Sequence, residues 1–290
     1  MFVLAHLSDP HLAPLPKIRP LELLSKRGLG YINWLRKRRL IHRAEVVAEL
    51  LADLNGRADH IAVTGDLVNL SLSNEFEPAL QWLSGLGDPR DVTVVPGNHD
   101  SYVRSAAGFA ERHWTSFMSG DTGESFPFVR RRGPLALIGL STSLPTLPLA
   151  ATGRLHGDQL ARLGELLARL GREKAFRVVL IHHPPVEGAN RFRRLTNASA
   201  LRDVLREHGA ELVLHGHHHE ASLHWLPGPR LRVPVIGVPS ASGAPDRHDE
   251  PAGYNLYEIE GAWGAWRCTM ISRGLRGGAF SEVGRQPLFG

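Results

Sequence analysis

The chain has 290 residues and a mass of 31.9 kDa, with 42% hydrophobic and 22% charged residues. These values are typical of one large globular domain and exclude a fibrous or mainly disordered chain. No apolar run reaches the roughly 18 residues of a membrane-spanning helix, and the N-terminus lacks the features of a signal peptide. A single cysteine, Cys268, excludes an internal disulfide framework and a cysteine-rich zinc site. We therefore predict a cytoplasmic protein with one domain over residues 1–290.

Positive charge is concentrated near the N-terminus. The whole chain has a formal charge of +5, whereas residues 17–43 contain nine Lys and Arg and a single acid, Glu22. The rest of the chain is therefore mildly acidic, which indicates a domain that carries a basic insert over residues 14–43. The insert also has an apolar side, formed by Leu21, Leu24, Tyr31, Ile32, Trp34 and Leu35. Two short helices joined near Gly28–Gly30 are predicted for it.

Strands and helices alternate through most of the sequence. Short apolar runs predict buried strands at Phe2–Leu7, His60–Thr64, Val92–Val95, Leu135–Leu140, Arg177–Ile181 and Leu212–Leu214. Between them, Ala44–Leu54 and the segment around Leu160–Leu170 place their apolar residues on one helical face. This alternation is typical of an α/β layered fold. Beyond residue 220 we expect strands without helices, at Val233–Val238, Tyr254–Glu260 and Ala265–Ile271, and a sheet that finishes with antiparallel strands.

Most of the predicted strands lead into residues that commonly bind metals. The segments after the first, second, third, fifth and sixth strands read DPH, GD, GNHD, HHPP and HGHHH, and begin at Asp9, Gly65, Gly97, His182 and His215. In α/β proteins, ligands bind at the carboxyl ends of the strands, where the loops diverge. We therefore expect these five segments to converge on one rim of the sheet.

The residue types in these segments predict a site for two metal ions. Carboxylate, amide and imidazole groups without a thiolate are typical ligands of Mn, Fe, Zn or Co. Seven ligands are too many for one catalytic ion that needs an open position, whereas they suit two ions that share a carboxylate. Two ions about 3.5–4 Å apart can lower the pKa of a bridging water and hold a phosphoryl group during in-line displacement. The pattern thus predicts metal-assisted hydrolysis, with two divalent or trivalent ions as cofactors.

The five segments resemble, in order, the D-x-H, GD, GNH-D/E, H and GHxH blocks of the calcineurin-like metallophosphoesterases, in particular their bacterial phosphodiesterase-like branch. The resemblance covers residues 1 to about 220. It implies a four-layer αββα sandwich of mixed β-sheets with the metal site at the strand carboxyl ends. The ligands that it implies are Asp9, His11 and His219 for the first metal, Asn98, His182 and His217 for the second, and Asp66 as the bridge.

The same resemblance implies a catalytic role for His99. This side chain would face the phosphate and either stabilise its developing charge or protonate the leaving oxygen, while Asp100 would orient the ring. The nucleophile would be a metal-bridging hydroxide, and no covalent enzyme intermediate would form.

The other histidines are interpreted as structural or solvated. In an extended segment, neighbours of ligands such as His183 and His218 point away from the site. The remaining members of this group are His6, His42, His60, His113, His156, His208, His215, His224 and His248.

Two groups of arginines are notable. Arg191, Arg193 and Arg194 follow the HHPP segment and are candidates for contacts with the substrate phosphate, although a solvated basic loop is an equally good interpretation. Arg130–Arg132 is predicted to form a charged turn.

Three interpretations of the basic insert remain open. It is a solvated amphipathic helix pair packed on the domain, a lid beside the site, or a contact for an anionic membrane or a nucleic acid. The lid is favoured because the insert begins three residues after His11. The membrane contact is favoured because Tyr31, Trp34 and Leu35 stand beside the basic run RKRR. The last two are compatible, since a lid that touches a bilayer would admit an anionic lipid.

The leading hypothesis for function is a phosphodiesterase, because bacterial relatives with GNHD, HHPP and GHxH blocks include cyclic-nucleotide and glycerophosphodiester phosphodiesterases. The alternative is a hydrolase of lipid-linked phosphoesters or pyrophosphates at the inner membrane surface, with residues 14–43 as its lid. Similar hydrolases of the lipid-A pathway commonly have a GNRD segment, with arginine at the position of His99 in this chain. This difference makes the lipid-linked substrate the second hypothesis. A nuclease is disfavoured because the chain outside the insert is acidic and has no recognised nucleic-acid-binding module. The complete ligand set disfavours a non-catalytic scaffold.

Overall fold

The computed structural model describes residues 1–188, 190–245 and 250–289. His248, interpreted above as structural or solvated, lies outside the described residues. The described chain forms two mixed β-sheets of six strands each, with helices packed on both outer faces. This architecture confirms the predicted four-layer αββα sandwich.

Both sheets combine parallel and antiparallel strands. In chain order the strands are β1 (Phe2–Leu7), β2 (His60–Val63), β3 (Val92–Val94), β4 (Phe128–Arg132), β5 (Leu135–Gly139), β6 (Phe176–Leu180), β7 (Leu212–His215), β8 (Ser222–Leu226), β9 (Val233–Gly237), β10 (Gly253–Glu260), β11 (Arg267–Arg276) and β12 (Ala279–Phe289). The sheet orders are β12–β11–β10–β1–β2–β3 and β4–β5–β6–β7–β9–β8. β1 to β3 are parallel, as are β5, β6, β7 and β9. The last strands, β10 to β12, are antiparallel as expected.

The helices vary in length from one turn to more than four. In chain order they are α1 (Lys26–Asn33), α2 (Arg39–Ile41), α3 (Ala44–Leu54), α4 (Phe76–Leu86), α5 (Phe109–His113), α6 (Thr115–Met118), α7 (Gly157–Arg172) and α8 (Ala198–His208). Within the described residues, no helix has both the length and the apolar character that crossing a membrane requires.

Alternating side chains along the inner strands create the layers of the core. In β1, Leu4 packs between the sheets, whereas Ala5 and Leu7 pack on the outer side with α3 and α4. In β6, Val178 lies between the sheets and Val179 packs with α7 and α8. Successive residues of a strand point to opposite faces, so a strand between two apolar layers requires a continuous apolar run.

The prediction of a charged turn at Arg130–Arg132 is wrong, because these residues belong to β4, which pairs with β5. Arg130 is buried, and its guanidinium group donates to four backbone carbonyls. These acceptors satisfy the buried donors, which is what allows a charged residue inside a strand. The sequence analysis also missed β8 and β12.

The predicted helix joint at Gly28–Gly30 is wrong as well, because both glycines lie inside α1. A π-helical segment, Trp34–Arg38, connects α1 to α2. Gly30 is where the helix comes closest to the domain: a Cβ at this position would lie 2.6 Å from the Leu70 side chain and 2.7 Å from the Tyr102 hydroxyl. The glycine therefore permits close packing of the insert.

The insert packs on the domain through its polar side. Arg27 is buried and donates to backbone carbonyls in the loop 69–72, and Lys26 donates to the loop 146–150. The large apolar side chains that the insert exposes are Leu21, Leu24, Leu29, Ile32, Leu35 and Leu40. The insert thus packs on the domain with these apolar side chains exposed and Arg27 buried.

Candidate metal centre

The loops after β1, β2 and β3 in one sheet and after β6 and β7 in the other meet at one end of the sandwich. These loops carry all seven predicted ligands, which the structure brings together: Asp9, His11, Asp66, Asn98, His182, His217 and His219. A hydrogen bond of 3.0 Å from the backbone N–H of His217 to Asp9 Oδ2 joins the two sheets here. The candidate site thus lies at the seam between the sheets.

The backbone of several predicted ligands is strained. Asp9, His11, Asp66, His217 and His219 have φ angles between 39° and 74°. Residues other than glycine rarely adopt this left-handed region, and each such residue costs on the order of 1–3 kcal/mol. These five are among only eight non-glycine residues with positive φ in the described parts of the chain. Their concentration at one place indicates that the site, rather than folding alone, requires these conformations.

The first group of donors lies after β1 and β7. His219 Nε2 is 3.2 Å from Asp9 Oδ1 and 3.3 Å from His11 Nε2. His11 Nδ1 donates to the backbone carbonyl of Val68, so its Nε2 presents a lone pair to the group. Carboxylate oxygens and imidazole lone pairs that converge at these distances repel each other unless a proton or a metal cation lies among them. The group is therefore suited to hold a metal ion.

The second group lies after β3, β6 and β7. His182 Nε2 is 3.2 Å from Asn98 Oδ1, and the ring of His217 lies beside it with centroids 5.1 Å apart. Asp66 Oδ2 is 3.4 Å from His182 Nε2 and 3.8 Å from His11 Nε2. One carboxylate oxygen thus lies between the two groups, which is the position that a bridging ligand needs.

Hydrogen bonds to backbone carbonyls determine which ring nitrogen of each histidine carries the proton. His182 Nδ1 donates to the carbonyl of Thr64 at 2.6 Å, and His217 Nε2 donates to that of Arg193 at 2.7 Å. Since a carbonyl can only accept, the lone pair of the neutral ring is on Nε2 in His182 and on Nδ1 in His217. Neutral imidazoles held in a single tautomer in this way are typical metal ligands. The donor set therefore fits two ions.

The charge balance of the site also favours a cation. Burial disfavours ionisation of Asp66, but His182 and His99 outweigh this effect and hold the pKa of the carboxyl well below its usual range. Burial disfavours protonation of His182, but Asp66 outweighs it and raises the pKa of the imidazole to about 9. A positive charge among these side chains is therefore favoured, and bound metal ions would supply it.

His183 lies near the second group but has no free ring nitrogen. Its Nε2 donates to the carbonyl of Ala151 at 3.2 Å, and its Nδ1 accepts from the hydroxyl of Thr142 at 2.8 Å. A metal could bind this ring only by breaking one of these hydrogen bonds. The contacts therefore favour the structural interpretation of His183.

His99 lies at the edge of the two groups. Its Nδ1 donates to the carbonyl of Asn69 at 2.5 Å, and Arg38 Nη1 lies 2.7 Å from Nε2 and 3.3 Å from Nδ1, over the ring. The backbone N–H of His99 donates to Asp66 Oδ1 at 2.6 Å. Asn69 and Arg38 therefore position the His99 ring.

Asp100 does not orient the His99 ring, which corrects the expectation from the sequence. Its carboxylate accepts four backbone N–H groups, those of Gly97 and of residues 66–68, at 2.8–3.1 Å. These bonds hold the loop that carries Asp66 against the loop that carries Asn98. Asp100 therefore supports the backbone of the site.

The sequence analysis missed His42, which it placed among the structural or solvated histidines. The His42 ring is buried, with its centroid 4.5 Å from that of His11 and 5.5 Å from that of His219. Its Nδ1 is hydrogen-bonded to the hydroxyl of Ser242 at 2.8 Å. One signal could have identified it: the insert leaves the domain just after His11, so its end at His42 must return to the same place.

The three candidate arginines after β6 differ in position. Arg193 faces the site and donates from Nη2 to the backbone carbonyl of His217 at 3.1 Å. All three side chains are exposed, and Arg191 stacks over the ring of Phe192. The structure thus brings only Arg193 to the predicted metal ligands.

The donor groups open into a cavity of about 410 Å³, whose lining includes Arg38, His42, His99 and Arg193. A larger cavity of about 1100 Å³ lies near the amino ends of β6 and β7. It contains none of the predicted ligands. The smaller cavity is therefore the candidate active site.

Comparisons with known proteins define the class of protein that this fold and site represent. A model of the family described as calcineurin-like phosphoesterase matches residues 2–221, about three quarters of the chain. The chain therefore belongs to the calcineurin-like phosphoesterase family. No curated protein sequence matches it significantly.

Solved structures show the same fold at low sequence identity. A dimetal phosphatase from Danio rerio aligns with a TM-score of 0.64 and 14% identity, over 97% of this chain and 98% of that one. A purple acid phosphatase from yellow lupin (Lupinus luteus) aligns with a TM-score of 0.61 and 13% identity, over 97% of this chain and 52% of that one. This chain thus spans about half the length of the lupin enzyme. At such identities the likeness establishes the fold alone.

Proposed function

We propose that the protein is a dinuclear-metal-dependent phosphoesterase that hydrolyses phosphodiesters. The observation that carries this proposal is the position of Asp66 Oδ2 between two groups of histidine and carboxylate or amide donors. The proposed ligands are Asp9, His11 and His219 for one ion, Asn98, His182 and His217 for the other, and Asp66 for both. Oxygen and imidazole donors without a thiolate suit Mn, Fe, Zn or Co.

Bound at these positions, two ions would activate a water for in-line attack and neutralise charge on the phosphoryl oxygens. The chain itself contributes the geometry. Asp100 holds the Asp66 loop through its backbone amides, and His99 presents Nε2 at the cavity. Arg193 adds positive charge to the cavity wall, where an anionic substrate would lie.

The preference for diesters is supported by the resemblance of the GNHD, HHPP and GHxH segments to those of bacterial phosphodiesterases. A cavity of about 410 Å³ also lies within the usual range for small-molecule sites. It therefore has room for a phosphoryl group with an organic substituent on either side.

Hydrolysis of bis(p-nitrophenyl) phosphate and of p-nitrophenyl phosphate tests this proposal. We expect the Mn²⁺-loaded protein to hydrolyse the diester with the higher kcat/KM. The same protein treated with a chelator should lose this activity and regain it when Mn²⁺ is restored. Preference for the monoester would contradict the diester assignment but not the metal site. Absence of turnover with both esters would contradict the proposed function for such substrates.

A lipid-linked phosphoester is a second candidate substrate, and the orientation of the insert favours it. Six of the twelve exposed large apolar side chains of the described residues belong to the insert, beside the exposed basic residues Arg36 and Arg39. Leu147 and Leu149 extend this surface from the loop that Lys26 contacts. Apolar and basic side chains on one surface are typical of segments that bind an anionic bilayer, here the proposed inner membrane surface.

Vesicle binding tests the membrane contact. We expect the protein to co-sediment with vesicles that contain phosphatidylglycerol more strongly than with pure phosphatidylcholine, and binding to weaken as salt rises. The double variant Leu21→Ser/Leu24→Ser should bind about tenfold or more weakly, because it removes two side chains that would enter the bilayer. Leu231→Ser is the matched control, since Leu231 is exposed beside the other cavity. Binding unchanged by salt and by the double variant would contradict this contact.

A further inference from the structure

We propose that Arg38, which the insert supplies, binds a phosphoryl oxygen of the substrate. This inference rests on the proposed phosphoesterase function and deepens it, since it assigns the insert a direct part in the active site. The ligand chemistry is an anionic phosphoryl group, whether it belongs to a soluble ester or to a lipid headgroup.

The hydrogen bonding of Arg38 carries the inference. Its Nη1 contacts the His99 ring, 2.7 Å from Nε2 and 3.3 Å from Nδ1, at the cavity that Asp66 and Asn98 help to line. Its Nε and Nη2 are buried and have no hydrogen-bond partner among the residues that the structure describes. A buried charged donor without an acceptor is costly, and such groups are rare in folded proteins unless a ligand satisfies them. The guanidinium group therefore has donors available at the place where a substrate would bind.

The insert holds this arginine in place through contacts near the catalytic loops. Arg27 donates to the carbonyls of Leu70 and Ser71, and the hydroxyl of Ser71 donates to the carbonyl of His99. The same short loop thus connects the insert to His99. Arg38 is therefore fixed relative to His99 by the packing of the insert and not only by its own side-chain contact.

The roles of His99 and Arg38 complement each other. Because His99 Nδ1 donates to Asn69, the neutral ring has its lone pair on Nε2 and cannot donate to an anion through that atom. The N–H groups directed at an anion would then come from the guanidinium group. Arginine is well suited to this task because its planar group presents several donors in a fixed geometry that matches phosphate oxygens.

Isothermal titration of the Mn²⁺-loaded protein with inorganic phosphate tests the proposal. The variants are Arg38→Ala and Arg38→Lys, and Arg90→Ala is the control because Arg90 is highly exposed. We expect Arg38→Ala to raise the Kd for phosphate by about 10- to 100-fold, which corresponds to the loss of a charge-assisted hydrogen bond. Arg38→Lys should recover only part of the affinity, since lysine keeps the charge but not the planar group. Metal content should stay at the parent level in all three variants.

The outcomes separate this proposal from the proposed function. Unchanged phosphate affinity in Arg38→Ala would overturn the role of Arg38, even if the parent protein hydrolyses phosphoesters. Loss of metal in Arg38→Ala would also overturn it, because a structural role would then explain the effect. If the parent binds phosphate through Arg38 but hydrolyses no ester, the binding role stands and the proposed function fails. If the parent neither binds phosphate nor hydrolyses esters, both fail.

Discussion

Replacement of Asp66 by asparagine is expected to reduce phosphoester hydrolysis to below about a thousandth of the parent rate. Asparagine keeps the shape of the side chain but removes the charge that would hold both ions. Each tenfold in rate corresponds to about 1.4 kcal/mol, and metal ions supply several kcal/mol of charge stabilisation in such reactions. Steady-state hydrolysis of bis(p-nitrophenyl) phosphate measures the rate. Elemental analysis of the same samples should show that at least one ion is lost.

The control for this experiment is Asp158→Asn. Asp158 is an exposed carboxylate in the first turn of α7, so the same chemical change is made away from the cavity. We expect this variant to keep parent levels of activity and metal. An Asp66→Asn protein that kept both ions and a tenth or more of the activity would show that the carboxylate does not bridge.

Replacement of Asp100 by alanine is expected to lower the free energy of unfolding by about 3 kcal/mol, because four buried backbone N–H groups lose their acceptor. Asparagine at this position should lower the free energy of unfolding by less, since its side-chain oxygen can still accept hydrogen bonds from backbone N–H groups. Urea denaturation of the chelator-treated proteins measures this effect without a contribution from bound metal.

The variant His99→Ala helps to distinguish two roles of Asp100, namely orientation of the His99 ring and support of the Asp66 loop. This variant should keep its metal and most of its stability while losing rate, because the ring lies at the cavity and gives the Asp66 loop one hydrogen bond, to Asn69, whereas Asp100 accepts four backbone N–H groups. If Asp100→Ala instead matched His99→Ala, with a loss of rate and no loss of stability, Asp100 would act through the ring after all.

The sequence predicts the fold and the grouping of the candidate ligands well, for a physical reason. The inner strands are buried on both faces and therefore read as apolar runs, as at Phe2–Leu7. The polar residues that end these runs, such as Asp9 after β1 and Asp66 after β2, meet at one edge of the sheet because these strands are parallel neighbours. Short-range sequence patterns therefore predict both the buried strands and the polar residues at their ends.

The features that the sequence does not reveal depend on long-range contacts. Arg130 looks like part of a charged turn because its four carbonyl acceptors come from distant segments. In the same way, Arg38 and His42 are inconspicuous in a basic segment until the insert folds back over the cavity. In the insert, Arg27 is buried while Leu24 is exposed, although charged residues are usually exposed and apolar residues buried. Residue type alone therefore predicts the wrong side of the insert for packing on the domain.

The position of the site at the seam has a consequence for how the two sheets stay together. In the proposed assignment, the first ion takes Asp9 and His11 from one sheet and His219 from the other. The second ion takes Asn98 from one sheet and His182 from the other. Each ion would then act as a cross-link between the sheets, much as a disulfide joins two parts of a chain. Loss of metal would thus loosen the sandwich at the end where the reaction takes place. The protein would then lose its activity and the link between its two sheets at the same time.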